Sequence, residues 1–167
     1  MIKAIISGGQ AGVDRAALDV AIELQIRHGG FCPRGRRSED GRIPDRYNLI
    51  ELATADYPAR TLKNVQESDG TLILAPYPLS GGSLLTRLAC QDRNKPAHLE
   101  WWDRPLGFES AARVRIWLKN HQIAVLNVAG TRESRCPGIY AAAVEFLRQV
   151  FAPEGVLVDS QKQCNGQ

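Results

Sequence analysis

Long apolar runs are missing from this 167-residue chain, and with them any stretch able to cross a bilayer as a helix. Cysteine is sparse. Cys32, Cys90, Cys136 and Cys164 form no C-x-x-C pair and show no zinc-site spacing. A reduced intracellular chain fits this better than a disulfide scaffold. His28, His98 and His121 are scattered and make no H-x-x-x-H pattern, so no metal ligands are assigned. A strong excess of one charge is also lacking. Twenty-one basic against 18 acidic residues leave +3, too little by itself to argue for nucleic acid. Aromatic residues make up only 7% and do not interleave with the basic ones, as single-strand readers require. Nucleic acid is therefore not an expected partner, and neither is a membrane. The segment Met1–Ser7 is too short for a signal peptide and has no cleavage-type flank, so the expected location is the cytoplasm.

What is present is enough apolar material, 44% of residues, to bury a core. The length fits one domain, expected over residues 1–160, with 161–167 as a frayed tail. Ile2–Ser7 is a short β-branched run stopped by Gly8-Gly9, which predicts a buried strand and a tight turn. Ala17, Leu18, Ala21, Ile22 and Leu24 give Asp14–Ile26 a helical spacing. A second strand is predicted over His28–Cys32. Residues 33–58, rich in Gly, Pro, Arg and Asp, read as a long irregular excursion with one helical turn near Leu49–Ala53. A helix over Thr61–Ser68 and a clear strand over Gly70–Ala75 follow. Next come a helix over Ser83–Asp92, a strand over Lys95–Trp101 and a helix over Ser110–His121. The last pair is a strand over Ile123–Val128 and a helix over Gly138–Phe151. Alternation of this kind predicts an α/β fold, a doubly wound, mostly parallel sheet of about five strands with helices on both faces. Such Rossmann-like sheets bind ligands beyond the carboxyl ends of their strands.

Three strand-to-helix junctions carry the candidate chemistry. The first holds Gly8, Gly9, Gln10, Gly12 and Asp14. Glycines let a ligand approach the backbone, and a helix start offers free N–H groups and a positive dipole end. The pattern is neither G-x-G-x-x-G nor a P-loop, because no G-K-[ST] follows, and a plain turn stays open beside the anion seat. Asp14 reads as a helix-start residue or a partner for Arg15 or Arg34, with a ribose or base contact also open. The second junction holds Ser80, Gly81, Gly82 and Ser83, where a serine cap is the alternative reading. The third holds Thr131, Arg132, Ser134 and Arg135, with Arg132 and Ser134 resembling an anion clamp. Beyond the second strand, Arg34, Arg36, Arg37, Arg42 and Arg46 crowd one loop. Arg34 and Arg37 there suit a phosphate better than a bare diol, against the alternative of a solvated loop paired with its own acidic residues.

At these residues the chain resembles the putative molybdenum-carrier family of the SLOG superfamily, Rossmann-like domains related to the lysine-decarboxylase-like phosphoribohydrolases. The resemblance runs from about Gly8 to Phe151. It rests on Gly8–Asp14, His28–Arg37, Asp69–Leu74 and Leu126–Ser134 taken together. The family implies molybdenum cofactor, a pterin carrying a phosphate, and the superfamily implies nucleotide-derived ligands more broadly. The phosphoribohydrolase relatives use a P-G-G-x-G-T-x-x-E segment with a catalytic Glu, and an arginine from an earlier helix. The matching stretch Leu79–Arg87 keeps two glycines and lacks the Glu. Arg60, with Asn64 one turn on, corresponds to the helix arginine.

The expected function is binding of a phosphorylated small molecule, a nucleotide or molybdenum cofactor, rather than catalysis. Hydrolysis of nucleoside monophosphates is the alternative. The expected ligand-binding residues are Gly8, Gly9, Gln10, Gly12, Arg34, Arg37, Arg60, Asn64, Gly81, Gly82, Ser83, Arg132 and Ser134, with no metal site. A homo-oligomer is left open.

Overall fold

The computed structural model describes residues 2–103 and 106–151. The expectation of a frayed tail over 161–167 lies outside the described residues. The main sheet has five strands: β1 (Ala4–Ile6), β2 (Arg27–Gly29), β7 (Gly70–Ala75), β8 (Ala97–Trp101) and β9 (Val125–Gly130). Every pairing among them is parallel. Helices α1 (Val13–Glu23), α2 (Tyr57–Gln66), α3 (Gly81–Asp92), α4 (Phe108–Asn120) and α5 (Ile139–Phe151) cover it. Helices α1, α4 and α5 share one face, where Val13, Ala17, Val114, Phe146 and Leu147 close over Ile5, Leu72, Leu126 and Val128. Helices α2 and α3 pack together on the other, around Val65, Ala89 and Cys90. The fold is α/β and Rossmann-like.

The order across the sheet is β2-β1-β9-β7-β8. Among the described residues the last strand in chain order is therefore the central one. Reading β9 first, and then β1, β2, β7 and β8, turns this order into 3-2-1-4-5, the arrangement of five strands in the standard dinucleotide-binding sheet. The chain is that sheet with its first strand and helix moved to the end. The order reverses between β9 and β7, so the crevice expected of such folds opens at their carboxyl ends.

The stretch predicted as one strand over His28–Cys32 is broken. Gly30 sits at φ 124°, and a Cβ there would come 2.2 Å from the carbonyl oxygen of Ser7. β2 ends before it, and β3 (Phe31–Cys32) leaves the main sheet to pair with β6 (Ile50–Glu51). The helical turn expected near Leu49–Ala53 is thus replaced by a strand. Alternation could not show this, because two-residue strands leave no period to read. Between β3 and β6 come a 3-10 turn (Arg34–Arg36) and a small hairpin of β4 (Arg37–Ser38) and β5 (Gly41–Arg42). Arg36 holds the excursion together. Its buried guanidinium donates to the carbonyls of Ile43, Pro44, Tyr47 and Leu49. Leu18, Cys32, Ile43, Tyr47 and Leu49 pack as a small core beside it. Helix α2 starts four residues earlier than its predicted first residue, at Tyr57, which brings Tyr57 and Arg60 onto its first turn.

Candidate functional site

The carboxyl ends of β1, β9 and β7 border a cavity of about 540 Å³. Gly8 and Gln10 line it from the first junction, Gly81, Gly82 and Ser83 from the second, and Thr131, Arg132 and Arg135 from the third. Helix α2 closes the remaining side with Tyr57, Arg60, Thr61 and Asn64. The glycine loops after β1 and β7 do share one crevice, although β9 separates their strands.

The first junction is largely closed on itself. The N–H of Gln10 faces Asp14 Oδ2 at 3.4 Å, and that of Ala11 donates to Ser38 Oγ at 3.3 Å. The N–H of Val13 donates to the carbonyl of Thr131. A helix start whose donors already have partners offers little to an anion. Gly9 turns away from the cavity. It stands at φ 74°, and a Cβ on it would lie 2.7 Å from Leu49 Cδ1. Gly12 packs beneath the third junction, 2.5 Å from the Thr131 oxygen by the same measure.

The second junction is open. Helix α3 runs for 12 residues from its Ser80 cap, which makes no side-chain cap bond. Among the described residues, the N–H groups of Gly81, Gly82 and Ser83 meet no acceptor. A Cβ on Gly82 would touch nothing within 4 Å. Packing thus gives no reason for glycine at this position, whereas close approach of a ligand to the backbone does. Three free N–H groups at the positive end of a helix are an arrangement that can receive an anion.

Asp14 pairs with neither Arg15 nor Arg34. Its Oδ2 accepts from Arg60 Nη1 at 2.8 Å, and both side chains are nearly buried, 5% and 11% exposed. Arg15 bonds Asp40 instead. Burial works against the Asp40 charge, but hydrogen bonds from Arg15 and Ser38 outweigh it and hold the carboxyl below its usual range. The Arg60 guanidinium crosses directly over Gly8, where a Cβ would fall 1.5 Å from Nη1. Gly8 is therefore needed for the arginine to lie there. Asn64, although on the cavity wall, uses its amide to pair with the backbone N–H and carbonyl of Phe31.

Arg132 and Ser134 diverge. Arg132 lies over the ring of Tyr57, 4.8 Å from its centroid, on the cavity wall. Ser134 points to the excursion, where its N–H and hydroxyl donate to Glu39. Glu133 accepts from the N–H groups of Gly138 and Tyr140 and so caps α5. Arg34 and Arg37 do not line the cavity; the Arg37 carbonyl accepts from Gln10 Nε2 at 2.8 Å, orienting that side chain. Arg135, named with the third junction but not among the expected binding residues, lines the cavity as well, and so do Tyr57, Thr61 and Asn127, of which the sequence reading had no sign. No local pattern marks these three, since they come from the first turns of α2 and from the middle of β9.

Among the lining residues three guanidiniums, of Arg60, Arg132 and Arg135, stand against one carboxylate, that of Asp14. The cavity is therefore electropositive, and no cysteine lines it. Burial raises the thiols of Cys32 and Cys90 above their ordinary range, which disfavours reactive thiolates there. Beside the excursion, the buried Tyr47 hydroxyl donates to Asp19 and accepts from Arg46. Burial pushes its pKa up to about 12.

The model of the circularly permutated YpsA SLOG family matches residues 5–151. No curated protein matches the chain. A crystal structure from Syntrophus aciditrophicus SB, of a protein described as "Putative molybdenum carrier protein", is 46% identical. The match covers 90% of this chain and 96% of that one, with a TM-score of 0.88. The family description agrees with a sheet whose central strand comes last in chain order among the described residues, and the chain belongs to the circularly permutated YpsA SLOG family.

Proposed function

We propose that the chain binds a phosphate-bearing small molecule, a nucleotide-derived or pterin ligand, in the cavity between β9 and β7. The observation that carries this is the N-terminus of α3. Its three unpartnered N–H groups open on a cavity with an excess of guanidinium over carboxylate. A phosphate on Gly82 and Ser83 meets partial positive charge from the helix and full charge from Arg132. At about 540 Å³ the cavity also has room for a ring system beyond the phosphate.

A molybdenum-bearing pterin as cargo fits the same seat through its phosphate. Among the described residues no group of three His, Cys, Asp or Glu side chains could hold a metal ion. The protein would grip such a molecule by its phosphate and ring, leaving the metal to the pterin's own donors. Hydrolysis is the weaker reading. The cavity's one lining carboxylate, Asp14, is paired with Arg60, and the stretch Leu79–Arg87 carries no carboxylate to stand for the relatives' Glu.

Isothermal titration of nucleoside monophosphates, their nucleosides and a pterin monophosphate tests the proposal. Saturable binding that requires the phosphate is expected. Arg132→Ala should weaken it about tenfold, as loss of a charge-assisted hydrogen bond does. No binding across the panel, or equal affinity for a nucleoside and its monophosphate, would overturn it.

A further inference from the structure

The arginines of this chain are mostly engaged. Arg15, Arg46, Arg60, Arg113 and Arg148 each bond a carboxylate, and Arg36 bonds backbone carbonyls. Arg132 and Arg135, the other two arginines on the cavity wall, are not: among the described residues neither guanidinium has a hydrogen-bond partner or a salt bridge, and of the two only Arg132 lies over an aromatic ring, that of Tyr57. The other stacked arginines do not share this. Arg46 over Tyr47 also bonds Asp19, and Arg115 over Phe108 also bonds the carbonyl of Gln149.

An arginine on a loop must be restrained if it is to meet an anion without a large loss of rotamer freedom. A carboxylate would restrain it, but would also take its donors and cancel its charge. An aromatic face holds the plane of the guanidinium and leaves the in-plane N–H groups free. Tyr57 has the features of such a holder. It sits on the first turn of α2 at the cavity wall, its hydroxyl has no partner among the described residues, and it joins none of the three buried clusters.

We propose that Tyr57 is a positioning residue for anion recognition, presenting the Arg132 guanidinium with its donors unused to a phosphate seated on the start of α3. The proposal rests on the phosphate reading given above. Arg132 makes the contact and Tyr57 acts only through it. The ring face is what matters and the hydroxyl is not, so phenylalanine should serve as well as tyrosine.

Inorganic phosphate is the probe, titrated against the full chain while the amide resonances of Gly82 and Ser83 are followed by NMR. Tyr57→Ala should weaken phosphate by about three- to fivefold, the range of a partly exposed cation–π contact. Tyr57→Phe should restore the parent affinity. In an Arg132→Ala background, Tyr57→Ala should have no further effect. An unchanged affinity in Tyr57→Ala overturns the proposal and leaves the phosphate seat standing. So does an equal loss with and without Arg132. If phosphate does not move the two amides of the parent chain, the seat itself is refuted, and the role of Tyr57 with it. Thermal melts of the variants accompany each titration, and a loss of affinity counts only where the melt is that of the parent.

Discussion

Gly8→Ala tests how the cavity wall is built. The backbone at position 8 lies outside the left-handed region, so alanine is permitted there on conformational grounds. The new methyl would nevertheless fall 1.5 Å from Arg60 Nη1 and 2.4 Å from Cζ. These are the far end of a flexible side chain, so the arginine can swing away rather than force the backbone apart. What is lost is the 2.8 Å pair with Asp14, whose carboxylate is only 5% exposed. Stranding one partner of a buried pair costs about 3–5 kcal/mol. We expect the lower end, about 3 kcal/mol, because water in the cavity can reach the vacated side of Asp14. For a chain of this size that lowers the melting temperature by about 6–12 °C. Urea unfolding and thermal melts of parent, Gly8→Ala, Asp14→Asn and the double variant measure it. With the stranded charge removed, the cost of Gly8→Ala should fall to less than half. A Gly8→Ala variant as stable as the parent would refute the reasoning. A cost that is the same in the parent and in the Asp14→Asn background would refute it too, by showing that the damage is steric.

Gly82→Ala should separate stability from binding: it gains about 0.5–1 kcal/mol of helix stability, because the methyl enters open space, while its position at the anion seat weakens phosphate binding. Thermal melts and calorimetry of the same sample check both directions. Base release from nucleoside monophosphates, followed by chromatography, should stay at background, because Asp14 is held by Arg60; turnover abolished by Asp14→Asn would show that this carboxylate is free to act. Tyr47 is neutral when buried, and its folded pKa of about 12 lies above the ordinary tyrosine value of 10. Its contribution to stability is therefore fully present below pH 10 and is lost as pH rises toward 12. Ultraviolet titration should show a late-ionising tyrosine that disappears in Tyr47→Phe.

The sequence by itself determined the alternation of strands and helices and the glycine turns at strand ends. Gly70–Ala75 is legible as a buried strand because six consecutive residues without a charge leave little else for it to be, and all six are buried. Gly81-Gly82 before a helical spacing is legible for a similar reason: glycine is conspicuous where a helix begins. These are local signals, set by side-chain period and backbone freedom. Strand order is not local. Nothing in Val125–Gly130 says that this strand enters between β1 and β7; it does so because the central position pairs both its edges. The same holds for charge partners. Asp14 stands beside Arg15 in sequence but bonds Arg60, 46 residues away, because neighbouring helix positions point in different directions while α2 leans across the end of β1. Arg132 and Ser134 look like one clamp in the sequence, yet one faces Tyr57 and the other Glu39. Only the packing of α2 and of the excursion against the strand ends decided which arginines reach the cavity, because that packing sets directions that a one-dimensional pattern does not contain.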